Sequence, residues 1–322
     1  MNGLIVSTRI ACLAIIVSAL AMACAHAQSW PARPVRLLVP FPPGGAADIV
    51  ARIAADKLTA TWGQPVVPEY RPGAGGTIAT SELVNSSGGH TLMIGTLGTH
   101  AIAPGLYSKL PYDPGRDLIP VAMLMLTPMV LVASPTLGVN SVQEFVALAR
   151  ADPGKYPIAS PGNGTLNHLM AEMFKQATRL DMVHIPYKSG THPDLISGRT
   201  ALLFDPLVQV LQHVKQGNLK PLAISHRSPL LPGVPTMAEA GLKHFDIGLW
   251  FGLFAPAGTP PAVVAKVSDD AVKAMNSPDV VQKVEALSSQ VMTVPHAQFA
   301  QSLQSDLSRW RKVVAELQIR AD

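Results

Sequence analysis

One structural device recurs three times in this chain: a short β-rich run, a sharp Gly-rich turn, and the start of a helical period. Val35 to Val39 reads as a buried strand that runs into Pro40-Phe41-Pro42-Pro43-Gly44-Gly45. A helix follows from about Ala46 to Thr59, with Ile49, Ile53 and Leu58 near one face. The second instance is the strand Thr91 to Ile94, which ends in Gly95-Thr96-Leu97-Gly98-Thr99-His100. The third is Tyr156 to Ala159, leading through Ser160-Pro161-Gly162-Asn163-Gly164-Thr165 into a helix from about Asn167 to Ala177. Further strands are predicted at Val66-Val67, near Met129 to Val132, at Met182 to Ile185, Ala201 to Phe204 and Leu222 to Ile224. Helices are predicted from Ser141 through Arg150, and over about Pro261 to Met275, Pro278 to Leu287 and His296 to Glu316. Such alternation indicates α/β architecture with mostly parallel sheets flanked by helices.

Glycine lets the backbone approach a ligand closely, and the first helical turn points free N–H groups outward with partial positive charge. A carboxylate or phosphate can be held there without any basic side chain. Open α/β sheets place ligands at the carboxyl ends of their strands, where these turns lie. A charge-assisted hydrogen bond nets about 1.5–3 kcal/mol and a helix terminus adds roughly 0.3–1. Three or four such bonds supply much of the ~8 kcal/mol of a micromolar binder.

The first 27 residues read as a removable leader. Arg9 precedes the apolar run Ile10 to Ala23, and Ala25-His26-Ala27 has the small-x-small pattern of signal peptidase cleavage after Ala27. That sends the mature chain to the periplasm; a lipoprotein anchored at Cys24 is the alternative. Both cysteines, Cys12 and Cys24, lie in the leader, so the mature chain is expected to hold no disulfide or thiolate metal site. The longest later apolar stretch, Val121 to Ala133, contains Pro128 and falls short of the ~20 residues of a membrane span. With 48% hydrophobic and 14% charged residues, disorder is excluded. The net charge is only +4, and no Lys/Arg cluster stands out, so nucleic acid is not an expected partner.

No Gly-x-Ser-x-Gly elbow, HExxH, Walker motif or GxGxxG occurs, and no two of the ten histidines are spaced four apart. Catalysis, a metal and a cofactor are therefore not expected; an exported hydrolase is the main enzyme rival.

The stretch Val39-Pro40-Phe41-Pro42-Pro43-Gly44-Gly45-Ala46-Ala47-Asp48-Ile49-Val50-Ala51-Arg52 resembles the signature of the Bug family. These are the extracytoplasmic solute-binding proteins of tripartite tricarboxylate transporters. Matching segments continue in order through Arg71 to Gly76, Gly95 to Pro104, Leu110 to Pro114, Ser160 to His168, His184 to Lys188, Phe204-Asp205, Leu231 to Thr236 and Trp250 to Pro260. The resemblance implies a two-domain periplasmic binding protein fold of type II-like form. Its lobes would be 28–127 with 252–322, and 128–251, crossing near 126–129 and 249–252. It also implies one organic anion in the cleft between them, with no catalysis. The ligand class would be a di- or tricarboxylate, an acidic amino acid or an aromatic acid, delivered by a monomer to membrane permease subunits. A ligand sensor for a signalling partner would share the same cleft.

Carried over, the resemblance places Phe41, Pro42, Gly45, Ala46, Ala47 and Asp48 on one side of the ligand. Ser160, Asn163, Gly164, Thr165 and His168 face them, with Thr96, Thr99, His100, Tyr187 and Asp205 nearby. Several of these residues have structural alternatives. Asp48 can cap its helix, His100 and His168 can bond to neighbouring backbone, and Tyr187 and Trp250 can fill core or hinge space. Asp205 can pair with a ligand ammonium or satisfy local backbone donors. Two departures from the family pattern stand out. Ala47 replaces a hydroxyl residue, and the segment after Tyr187 is about two residues short, with Ser189-Gly190-Thr191-His192-Pro193 in place of a Gly/Ala-rich helix entry.

Overall fold

The computed structural model describes residues 30–320 except 189, 288 and 319, so the expected leader and Cys24 lie outside the described residues. Two parallel three-stranded units form the framework. The first contains β1 (Val35–Val39), β2 (Val66–Tyr70) and β3 (Thr91–Thr96), with β1 in the middle. The second contains β5 (Ile158–Ser160), β6 (His184–Pro186) and β7 (Leu202–Pro206), with β5 in the middle. Parallel pairing needs helical crossovers, which α1 (Ala46–Trp62), α2 (Thr77–Val84) and α5 (Leu166–Thr178) supply.

Two long strands join the units. β4 (Leu118–Ala133) pairs antiparallel with β9 (Gly248–Pro256) from Leu118 to Pro128, and with β7 from Met129 to Ala133. The apolar run noted in the sequence is this strand, almost all of it buried because helices and strands cover both faces. Pro128 donates no hydrogen bond, and it stands where the ladder to β9 ends and that to β7 begins. Strand β8 (Lys220–Ile224) also pairs with β4. So does β10 (Gln290–Pro295), a strand the sequence pattern did not reveal. The resulting order is β2-β1-β3-β9-β4-β7-β5-β6.

Several predicted boundaries move. β3 continues through Gly95 and Thr96, and a helical turn at Gly98–Ile102 runs into α3 (Ala103–Leu106). The strand expected from Tyr156 starts at Ile158, after Pro157, which has no N–H to give to a ladder. The remaining helices are α4 (Val142–Ala151), α6 (His192–Ile196), α7 (Leu207–Lys215), α8 (Pro261–Met275), α9 (Pro278–Ala286) and α10 (His296–Leu317). Phe299, Leu303, Trp310 and Val314 of α10 are buried in the core of the first unit. Among the described residues no helix is long and apolar enough to cross a membrane.

Candidate functional site

The loop from β1 to α1 is braced from within. Gly44 has φ +89°, which favours glycine. Its N–H donates to Asp48 Oδ2 at 2.8 Å, while Asp48 Oδ1 accepts from Arg52 Nε at 2.7 Å and from the Tyr70 hydroxyl at 2.6 Å. Burial alone would raise the Asp48 pKa; the bonds from Tyr70, Gly44 and Arg52 outweigh it and hold the carboxyl below its ordinary value. Asp48 thus holds the loop, with its oxygens turned inward, and it does not line the cavity described below. Gly45 is the N-cap of α1 and has no side chain to occupy the first-turn amides.

At the end of β3, Thr99 Oγ1 accepts from the Thr96 N–H at 2.9 Å, and Thr96 Oγ1 accepts from the Thr99 N–H at 3.2 Å. His100 lies wholly in the core. Its ring stacks on Phe254 at 3.9 Å between centroids, and Nδ1 meets Thr99 Oγ1 at 2.6 Å. Burial pushes its pKa down to about 3, so the ring is neutral. Gly98 turns toward the second unit. A Cβ built there would lie 3.0 Å from Leu166 N, the first residue of α5.

The loop from β5 to α5 is also internally bonded. Ser160 Oγ accepts from the Gly162 N–H at 3.1 Å and meets His184 Nε2 at 2.7 Å. Thr165 caps α5 by accepting from the His168 N–H at 3.2 Å. The His168 ring accepts from the Gly164 N–H at 3.3 Å and stacks on His184, 4.3 Å between centroids. Asn163 and Gly164 pack against the other unit: the Tyr107 hydroxyl donates to Asn163 O at 3.0 Å, and a Cβ on Gly164 would meet Tyr107 Cε2 at 2.5 Å. His168, Glu172 and His184 bring ligand atoms within 4.8 Å of one another. Gly164, Lys175 and Ser160 respectively already bond to them, and the stacked rings brace the loop.

A fourth strand-to-helix turn joins these three. β7 ends at Asp205-Pro206, and α7 begins at Leu207 with no side-chain cap. Asp205 is buried; its Oδ1 accepts from Asn167 Nδ2 at 3.0 Å, and its Oδ2 accepts from His192 Nε2 at 2.8 Å. Burial raises its pKa, opposed by the bonds from His192 and Asn167.

A cavity of about 410 Å³ lies where these turns meet. Phe41 through Ala47, Thr96 and Gly98 line it from the first unit. From the second come Pro161, Thr165 to Asn167, Lys188, Gly190 to His192, Asp205-Pro206, Val208, Gln209 and His213, with Leu249 and Phe251 of β9 completing it. Among the expected site residues, the structure therefore brings Phe41, Pro42, Gly45, Ala46, Ala47, Thr96, Thr165 and Asp205 to one cavity. Asp48, Thr99, His100, Ser160, Asn163, Gly164 and His168 stand behind it, in the bonds just described. Tyr187 gives its hydroxyl to Asp194 at 2.7 Å and stays outside the lining. Trp250 donates to Asp306 and packs on Phe299. Asn167, Gln209 and His213 line the cavity without having been expected there. The α7 entrance uses proline where the others use glycine, so only the strand–turn–helix order could have signalled it.

Two three-stranded α/β units, crossed by β4 and β9 with a cavity between helix N-termini from both sides, define a two-domain periplasmic binding protein. Over residues 50–319 the sequence matches the family described as "Tripartite tricarboxylate transporter family receptor". The chain is 37% identical to Protein BugT of Bordetella pertussis over 297 residues, covering 90% of this chain and 91% of that protein. Its fold is similar to MatC from Rhodopseudomonas palustris with bound malate (TM-score 0.83, 34% identity, 88% of this chain and 100% of that one). It is also similar to an R. palustris protein solved with adipate (TM-score 0.85, 32% identity, 90% and 99% covered). The chain belongs to the tripartite tricarboxylate transporter receptor family, the Bug proteins, and is a solute-binding receptor.

Proposed function

We propose that this receptor captures a small carboxylate-bearing metabolite in the periplasm and presents it to membrane permease subunits. One observation carries the reading: the N-terminal turns of α1, α5 and α7, drawn from both sides of the crossing strands, line a single cavity of about 410 Å³. That size suits a small organic molecule, and converging helix N-termini suit an anion. The lobes in this reading are 28–127 with 252–322, and 128–251. Closure of one lobe on the other follows from both holding the same carboxylate, so affinity and conformation are linked. Asp205 has both oxygens engaged, which disfavours a ligand ammonium there and favours plain carboxylic acids over acidic amino acids.

The test is a thermal-shift screen of the mature protein against dicarboxylates, tricarboxylates, acidic amino acids and aromatic acids. A ligand at 100 times its Kd stabilises by about 2.7 kcal/mol, a shift of several degrees. Silence across all carboxylates, together with turnover of a chromogenic ester, would replace the receptor reading with a hydrolase.

A further inference from the structure

The second-lobe wall of the cavity carries a polar cluster of different character from the helix ends. His192 is the first residue of the short helix α6 and reaches Asp205 Oδ2 through Nε2 at 2.8 Å. Because a carboxylate oxygen accepts, Nε2 carries the hydrogen, and Nδ1 is left without a protein partner among the described residues. Asp205 is 3% exposed, and its other oxygen accepts from Asn167 Nδ2, so each carboxylate oxygen holds one bond. The His213 ring lies 5.0 Å from that of His192, and its buried Nδ1 also lacks a protein partner. His192, Asp205, His213 and Lys188 all line the cavity. Asp194, on the same helix as His192, is bound to Tyr187 and Arg199.

We propose that His192 determines which carboxylates the cavity accepts: the Nδ1 side of its ring takes a second anionic group of the solute, and the ring gains a solvent proton as that group binds. The proposal rests on the carboxylate reading above and adds the residue that reads the ligand's far end. A neutral ring presents a lone pair at Nδ1, which repels an anionic oxygen. Protonation turns that atom into a charged N–H donor while Nε2 keeps its bond to Asp205. No bond other than N–H forms, and the proton comes from water or buffer.

The surroundings make the switch accessible. Burial lowers the His192 pKa, but the Asp205 bond outweighs it and leaves the ring above its ordinary value of 6.5. His213 is shifted the other way, by burial and by the neighbouring His192, so it stays the neutral member of the pair. Lys188 is the other basic side chain on the same wall.

The sign follows from linkage. An anionic group beside His192 raises its pKa further in the complex. Affinity for a dicarboxylate is then full below the free ring's pKa and falls as pH rises through it, at most on the order of tenfold per pH unit. A ligand whose second carboxylate is replaced by an amide places no charge at His192, and its affinity stays level.

The experiment is titration calorimetry of the full mature protein with succinate and adipate and with their monoamides. It runs from about pH 6 to about pH 8.5, in two buffers of different ionisation enthalpy, so that bound protons are counted directly. The expected result is proton uptake approaching one for the dicarboxylates, a falling affinity with pH, and a flat profile for the monoamides. His192→Gln keeps an N–H for Asp205 and should flatten the dicarboxylate profile, with its unliganded melting temperature reporting that the fold is intact. Proton counting on the unaltered protein needs no variant. Dicarboxylates that bind with level affinity and no proton uptake overturn this proposal and leave the carboxylate reading standing. So does a His192→Gln protein that keeps the slope. If neither dicarboxylates nor monoamides bind at any pH, this proposal falls, and the carboxylate reading falls with it only if the tricarboxylates and aromatic acids of the thermal-shift screen are silent as well.

Discussion

Gly98 occupies the head of the helical turn after β3, and its φ lies outside the left-handed region, so the backbone there accepts alanine. What alanine meets is across the cleft: its Cβ would lie 3.0 Å from Leu166 N and 3.6 Å from the Thr165 Cα. These atoms belong to the capped N-terminus of α5 and cannot rotate away as a side-chain tip would. The second lobe must retreat by a few tenths of an ångström, and the Leu166 N–H, one of the first-turn donors, is shielded from a ligand. Overpacking of this kind costs about 1–3 kcal/mol, and 1.4 kcal/mol corresponds to about tenfold in affinity. In the closure proposed above, an open, unliganded form escapes the clash and gains about 0.4–1 kcal/mol from the reduced freedom of the unfolded chain. Gly98→Ala should therefore melt at or slightly above the temperature of the unaltered protein, yet bind its best carboxylate about tenfold more weakly by calorimetry. Unchanged affinity with a normal melting temperature would show that the bound state does not bring Gly98 and α5 together, and the closure argument would fail.

Tyr107→Phe removes the hydroxyl that donates to Asn163 O across the same interface; a net bond worth about 0.5–1.5 kcal/mol predicts a two- to tenfold loss of affinity, read by calorimetry, with little change in unliganded melting. His100 and His184 are both pushed down to about 3, chiefly by burial, against an ordinary value of 6.5. Groups whose folded pKa is depressed in this way bind protons preferentially when unfolded. Stability should therefore drop as pH falls below 6.5, by up to about 1.4 kcal/mol per pH unit for each ring. Urea unfolding at stepped pH measures it, and His100→Leu should lose one ring's share of the slope; an unaltered slope would contradict the assignment.

The parts of this fold that were readable in sequence are those where one local pattern has one structural solution. Gly44 takes a left-handed φ in its Gly-rich turn, Ser141 opens its helix by accepting from the Glu144 N–H, and the strands before the Gly-rich turns are apolar runs closed by turn residues. The parts that were not readable depend on partners distant in the chain. β10 alternates weakly and pairs only because β4 offers an edge more than 160 positions earlier. Gly95 and Thr96 read as turn residues but are strand, because Phe251 and Gly252 of β9 pair with them. At the site, the family resemblance sets Ser160 and His168 facing a ligand, with His100 nearby. The structure instead spends their polar atoms on Thr99, Gly162 and Gly164, since a loop that offers its amides outward must first be held from behind.

The same requirement explains how a cavity for anions tolerates two aspartates at helix entrances. A free carboxylate at either position would compete for the first-turn N–H groups, since acids are favoured there. Asp48 is kept from doing so by Tyr70 and Arg52, and Asp205 by Asn167 and His192. Asp48 is thereby held behind the cavity, and Asp205 is fixed in its wall by one bond to each oxygen. The first turns of α1, α5 and α7 line the cavity beside side chains such as Lys188 and Gln209, and the geometry of their main-chain groups is nearly independent of side-chain identity. In the function proposed above, attraction for one carboxylate comes from these helix entrances, and discrimination among carboxylates falls to the side chains around them, Lys188, His192 and Gln209 among them. The segment that carries His192 to Asp205 is one of the two places, with Ala47, where the sequence resemblance leads us to expect a departure from the family's pattern.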